Sequence, residues 1–207
     1  IHFSDDQAYR LPSAARPKLP SAEHYSKQQL LNLVAYAANR GVRIIPEVDV
    51  PGHVTHWLAA YPEWGMYEVQ PSERFGVHKA CLNPTDEMVY TALEAIFAEV
   101  VEIFPDDFVH VGGDEVNPSW WSENSQAQAF IATHNLGDVR GLQNYFLQRL
   151  CVMLEAKGKR VIGWDEILHP DIPNCVVQNW RGITTRDRAL ALNRDCVVSG
   201  PFYLDLF

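Results

Sequence analysis

Six short apolar runs alternate with helical or loop segments along this 207-residue chain, and each run is followed by acids, histidines or aromatics. The runs are Ile1–Ser4, Val42–Val50, Phe108–Val111, Arg160–Trp164, Cys175–Trp180 and Cys196–Ser199. They are rich in β-formers and lack clean polar alternation, as expected of parallel strands covered on both faces. Strand and helix in alternation predict an α/β fold, whose commonest large closed form is the (β/α)8 TIM barrel. A doubly wound sheet also fits the alternation, but it gathers ligand groups at one switch point, whereas here every strand end is furnished. The expected architecture is therefore one barrel domain spanning residues 1–207. A full barrel has eight strands and typically about 250 residues, so the barrel reads as incomplete by two strands.

Between the runs, Ser26 and Gln29 form the signature of a capping box ahead of a helix. Leu30, Leu31, Val34, Ala37 and Ala38 recur along it at helical spacing, and Gly41 should stop it. Residues 55–82 form a long connection rich in aromatics, a length that usually signals a functional loop. Asn83 and Pro84 should start the next helix, with Val89, Leu93, Ile96, Phe97, Val100 and Phe104 as its buried stripe. A short helix is expected around Trp120–His134 and a longer one over Gly141–Lys157. Thr184 and Asp187 should cap a last helix.

The net charge of −9 argues against nucleic acid or an anionic membrane as a partner. No apolar run approaches the length of a membrane span. The four cysteines show no paired short spacing, which leaves them as small buried hydrophobes rather than zinc ligands. The chain starts on Ile1, so it is expected to be a segment of something longer.

The strand ends carry the chemistry. Phe108-Val-His-Val-Gly-Gly-Asp-Glu-Val116 is a strand that stops at two glycines and presents Asp114 and Glu115 side by side. Adjacent acids repel, which lets one hold a proton while the other stays charged, as an acid-catalysed hydrolase needs; solvated acids at a turn would look the same. On the same face the other strands offer Asp5, Asp6, Asp49, His53, Trp164, Trp180, Tyr203 and Asp205. His2, Asp5, His53, His110 and Asp114 resemble a barrel metallohydrolase inventory, yet no His-x-His follows a strand, and no metal is expected. Aromatics at separate strand ends fit a sugar pocket better; the alternative for Trp164 and Trp180 is wall packing, and for Tyr203 a core position. His110 is expected to be a buried, hydrogen-bonded residue beneath the acids. His53, after Pro51-Gly52, is expected to point a titratable ring inward.

His110-Val-Gly-Gly-Asp-Glu-Val116 is similar to the signature of the family 20 glycoside hydrolases, the β-N-acetylhexosaminidases. His2-Phe-Ser-Asp-Asp-Gln7, Pro46-Glu-Val-Asp-Val-Pro-Gly-His53, Gly163-Trp-Asp-Glu166 and Tyr203-Leu-Asp205 resemble further motifs of that family in the right order. The resemblance implies a barrel with about strands 2 to 7 present, and removal of terminal β-linked N-acetylhexosamine from an oligosaccharide or glycoconjugate. It implies substrate-assisted retention, a known exception to the two-carboxylate scheme, in which the 2-acetamido oxygen attacks the anomeric carbon and forms an oxazolinium ion. Asp114 would then hold the acetamido N–H, and Glu115 would act as acid and then base. Tyr203 would bind the acetamido oxygen, Asp205 a sugar hydroxyl, and Trp164 and Trp180 would wall the ring. His53, oriented by Asp5 or Asp6, would tune Glu115, with Asp49 bracing the turn. No cofactor is implied, and the family makes a secreted, periplasmic or lysosomal location the expectation.

The family's first-strand arginine and eighth-strand Trp-Gly-Glu have no counterpart in the 207 residues. The isolated chain is therefore expected to be poorly stable and inactive. A disaccharide-releasing relative of the same family, and a carbohydrate-binding protein that has lost catalysis, are the competing functional readings.

Overall fold

The computed structural model describes residues 1–172 and 174–203. Its centre is a parallel sheet ordered β3 (Phe108–His110), β4 (Arg160–Trp164), β5 (Val176–Asn179) and β6 (Cys196–Val198). The ladder continues past β3 through parallel bridges from His110 to Glu47 and from Glu47 to His2. Chain order and spatial order therefore agree across all six apolar runs, as in a barrel wall.

The run at 42–50 differs from expectation, since it holds no continuous strand. Its backbone still bonds on both sides, Val48 N–H donating to His110 at 3.0 Å and Glu47 N–H to Ile1 at 2.8 Å. Pro46 lacks a donor in the middle of the run, which breaks the regular ladder. The first run ends in a hairpin: β1 (Ser4–Asp5) pairs antiparallel with β2 (Ala8–Tyr9), so Asp5 and Asp6 project from a tight turn.

Helix α1 (Lys27–Ala38) begins with the expected capping box: Gln29 N–H donates to Ser26 Oγ at 3.2 Å, and Ser26 N–H to Gln29 Oε1 at 2.7 Å. Residues 55–82 are not one open loop. Helix α2 (Thr55–Ala60) and a 3-10 turn at Pro62–Trp64 send Trp57 and Trp64 into the core, so these aromatics are packing. Helix α3 (Glu87–Ile103) starts three residues later than Pro84 suggested. Asn83 folds its side chain onto Thr85 N–H at 3.0 Å, a turn that delays the helix until Asp86 caps it. Two short helices, α4 (Ser119–Ser122) and α5 (Ser125–Thr133), precede α6 (Val139–Glu155). Helix α7 (Ile183–Ala191) has no side-chain cap; Thr184 and Asp187 lie inside it rather than ahead of it.

Helices α3 and α6 cover the sheet with the stripes read from the sequence. Val89, Leu93, Ile96, Phe97 and Val100 are buried, as are Leu142, Phe146, Leu150 and Leu154. The cysteines are free, and Cys81, Cys151 and Cys175 are buried. No helix among the described residues is long and apolar enough to cross a membrane.

The covered sheet and the solvated cap should differ in weight. Phe146→Ala, at a fully buried site, should cost about 3–5 kcal/mol. Ser26→Ala should cost about 1 kcal/mol. Urea unfolding of both variants checks this, and equal midpoint shifts would refute the layering.

Candidate active site

The site is built from backbone that only small or strained residues can supply. After β3 the chain turns at Gly112 and Gly113, both in the left-handed region. A Cβ on Gly112 would lie 1.7 Å from Asp49 Oδ1, so this position admits glycine alone. Asp49 then accepts a hydrogen bond from Gly113 N–H at 3.0 Å. Glu115 (φ 50°) and His53 (φ 54°) are themselves left-handed, an expensive conformation for side chains of their size.

That geometry brings Asp5, Asp49, His53, Asp114 and Glu115 together. His53 Nδ1 lies 2.9 Å from Asp5 Oδ1, and its Nε2 lies 3.6 Å from Glu115 Oε2 and 3.9 Å from Asp114 Oδ2. Asp5 is the partner that orients the ring. Asp6 is occupied elsewhere, accepting from Thr55 N–H at 3.0 Å and Thr55 Oγ1 at 2.6 Å, which ties the hairpin to the start of α2.

The electrostatics follow from burial and neighbours. Burial alone would lower the His53 pKa, but the Asp5 bond and the charges of Asp114, Asp5 and Asp6 raise it. Burial would raise Asp5; its bonds to His2 and His53 instead hold it well below the usual carboxylate range. Asp49 is fully enclosed, and burial together with the nearby Asp114 carboxylate pushes its pKa well above normal. Both causes favour its protonated form, the form that can donate to Asp114.

A second layer lies beneath. Trp164 Nε1 donates to Glu47 Oε1 at 3.0 Å, and Glu47 also meets His2 at 3.3 Å and His110 at 3.4 Å. His110 is buried and accepts from Gly112 N–H at 3.1 Å, with its ring against Trp164. Burial lowers its pKa, which keeps it neutral. Trp164 and Trp180 meet edge to face, their rings 6.5 Å apart. Tyr203 follows β6 in extended backbone and is half-buried. Asp205 lies outside the described residues.

Three groups could in principle hold a cation: His2 with Glu47 and Asp49, Asp5 with Asp6 and His53, and Asp49 with His53 and Asp114. All belong to this cleft.

Sequence reasoning missed the roles of Glu47 and Glu166. Glu47 sits two positions before Asp49, on the same strand face, and that spacing was the available signal. Glu166 stands at the end of the quoted Gly163-Trp-Asp-Glu166 motif; its carboxylate lies 2.6 Å from Arg181 Nη2. A cavity of about 270 Å³ opens between Glu115, Gln143, Asn144, Glu166 and Arg181.

The model of the glycosyl hydrolase family 20 catalytic domain matches residues 1–207. The chain belongs to glycosyl hydrolase family 20. It is 32% identical to the beta-hexosaminidase of Porphyromonas gingivalis over 99% of its own length and 29% of that protein's. It is 30% identical to the human beta-hexosaminidase subunit beta, over 99% of its length and 39% of that subunit's. Among solved structures, the Flavobacterium johnsoniae chitobiase superposes with a TM-score of 0.93 at 34% identity, covering 99% of this chain and 34% of that one. The chain thus spans about a third of the length of these relatives. Catalytic domains of this family are TIM barrels, and the parallel sheet found here is part of such an α/β fold.

The enclosed Asp49 gives a pH signature. Its raised folded pKa means that its contribution to stability is full below its unfolded value of about 3.9 and is lost as pH rises through the folded value. Asp49→Asn keeps an acceptor for Gly113 and a donor for Asp114 without titrating. Urea unfolding at pH 4, 6 and 8 should show the variant gaining on the wild type as pH rises; a constant difference would show that Asp49 is ionised throughout.

Proposed function

We propose that this chain carries the acid/base and the acetamide-orienting carboxylates of a β-N-acetylhexosaminidase, which removes terminal β-linked N-acetylhexosamine by substrate-assisted retaining catalysis. The observation behind the reading is the Asp114–Glu115 pair held at one strand end, with Glu115 backed by the His53–Asp5 relay. The names of the relatives support it.

In the first step the acetamido oxygen bonds to the anomeric carbon as the glycosidic C–O bond breaks. Glu115 gives its proton to the departing oxygen. Asp114, beside the buried Asp49, accepts from the acetamido N–H and stabilises the positive charge of the oxazolinium. Water then attacks the anomeric carbon, the bond to the acetamido oxygen breaks, and Glu115 takes the water's proton. Trp164 and Trp180 wall the sugar and its acetamide, Tyr203 donates to the acetamido oxygen, and Asp205 binds a ring hydroxyl. His53 sets the orientation of Glu115 from behind. The substrate class is an N-acetylhexosamine-bearing oligosaccharide or glycoconjugate; neither metal nor organic cofactor takes part in these steps.

In an active catalytic domain containing this chain, Glu115→Gln should slow substrates with poor leaving groups about 10²–10⁴-fold and activated aryl substrates far less. Asp114→Asn should slow both, because it acts on the acetamide. Equal losses across leaving groups for Glu115→Gln would overturn its assignment. A thiazoline analogue of the cyclised intermediate should inhibit strongly, and β-glucosides lacking the acetamide should resist cleavage. Glycan binding with no turnover would instead favour a binding protein.

A further inference from the structure

The wall of the cleft formed by Trp180 is held from behind by two neighbouring acids. Asp165, buried, accepts at one oxygen from Asn179 Nδ2 at 2.7 Å and at the other from the backbone N–H groups of Trp180 and Arg181, at 3.1 and 2.7 Å. Those three bonds fix the backbone at the end of β5. They reach the backbone of Trp180 and not its indole. The Arg181 guanidinium lies over that indole, 4.7 Å from the ring centroid, a cation–π distance. Glu166 Oε1 in turn lies 2.6 Å from Arg181 Nη2.

Two observations mark Glu166 as more than a surface ion-pair partner. Its side chain is only 13% exposed, whereas Arg181 is 50% exposed. Both of its oxygens and the indole Nε1 of Trp180 are shielded from solvent without an aligned hydrogen bond among the described residues. Burial and, less strongly, Asp114 raise the Glu166 pKa, and the Arg181 charge is the main opposing influence. A carboxylate is placed in such a position at a desolvation cost, and a well-packed apolar residue would hold the turn at lower cost.

We propose that Glu166 and Arg181 are positioning residues for Trp180, and that through this ring they set which N-acyl groups the cleft accepts. The proposal rests on the reading of Trp180 as a wall of the acetamide pocket. With Arg181 held by Glu166 the indole has one orientation and the pocket one depth, which the proposed function makes the depth for an N-acetyl methyl. Without the carboxylate, Arg181, which lines the cavity beside Glu115 and Gln143, turns to solvent and the indole gains freedom to leave that orientation. The pocket then accommodates a longer acyl chain, while the attack of the N-acetyl oxygen is less well aimed.

The test compares aryl β-glycosides bearing N-acetyl, N-propanoyl and N-butanoyl groups, in an active catalytic domain containing this chain. The wild type should prefer N-acetyl strongly, since one misfitting methylene in a closed pocket is worth about 10–200-fold. Glu166→Ala should reduce the acetyl-to-butanoyl ratio of kcat/KM by about tenfold, with the loss for N-acetyl in kcat rather than KM. Arg181→Ala should act in the same direction and Arg181→Lys should restore part of the preference. A uniform loss across the series with the ratio intact would overturn the proposal, as would a ratio moved by Arg181→Ala but untouched at Glu166. Affinities for thiazolines carrying methyl or propyl on the ring carbon give the same ratio without turnover. Failure of the wild type to cleave the N-acetyl substrate would instead refute the proposed function.

Discussion

The fit of Asp49 against the Gly112–Gly113 turn is the constraint on which the rest of this site depends. Its carboxyl occupies the space where a side chain at 112 would stand, receives the Gly113 amide, and is pushed toward its protonated form by burial and by Asp114. Each contact excludes an alternative. A side chain at 112 would evict Asp49, and an ionised Asp49 would repel Asp114. The turn and the acid pair therefore specify each other, and His53 finds both acids within 4 Å because the turn delivers them there.

From that point the site extends in two layers. The upper one is charged and asymmetric: Asp5 fixes one nitrogen of His53, and the other faces Glu115. The lower one is a compact polar raft of His2, Glu47 and His110 that ends on the indole of Trp164. Here burial opposes the protonation of His2, but its bonds to Asp5 and Glu47 prevail and raise its pKa to about 10. It remains a cation across the neutral range, balancing the acids above and beside it. Such networks are costly when one member is removed, because the remaining groups are left buried and unpaired.

Much of this was legible in the sequence. Alternating apolar runs, the double glycine and the helical stripes over Val89–Val100 and Leu142–Leu154 report local preferences and burial, which survive into the fold. The acids at the strand ends were legible for the same reason, since a parallel sheet places them on one rim. What escaped depended on long-range contact. Pro46 interrupts a strand whose neighbours bond to it regardless. Thr85 competes for the Asn83 side chain and delays a helix. Trp57 and Trp64, read within a loop, are core because the chain doubles back over them. Asp5 was the favoured partner of His53, but the contact that occupies Asp6 instead, Thr55, lies 49 residues away from it. Spacing carries no record of such partners.

The left-handed backbone at Glu115 has an evolutionary consequence. An L-residue in that conformation gives up roughly 1–2 kcal/mol that glycine would not. The position is therefore one where the change most favourable to folding is also one that deletes the carboxylate. Selection for robustness alone would drift it toward glycine, as at Gly112 and Gly113 immediately before it. In the role proposed for Glu115, chemistry rather than durability sets the identity of the residue, and this turn is among the spots that a chain freed from hydrolysis would first relax.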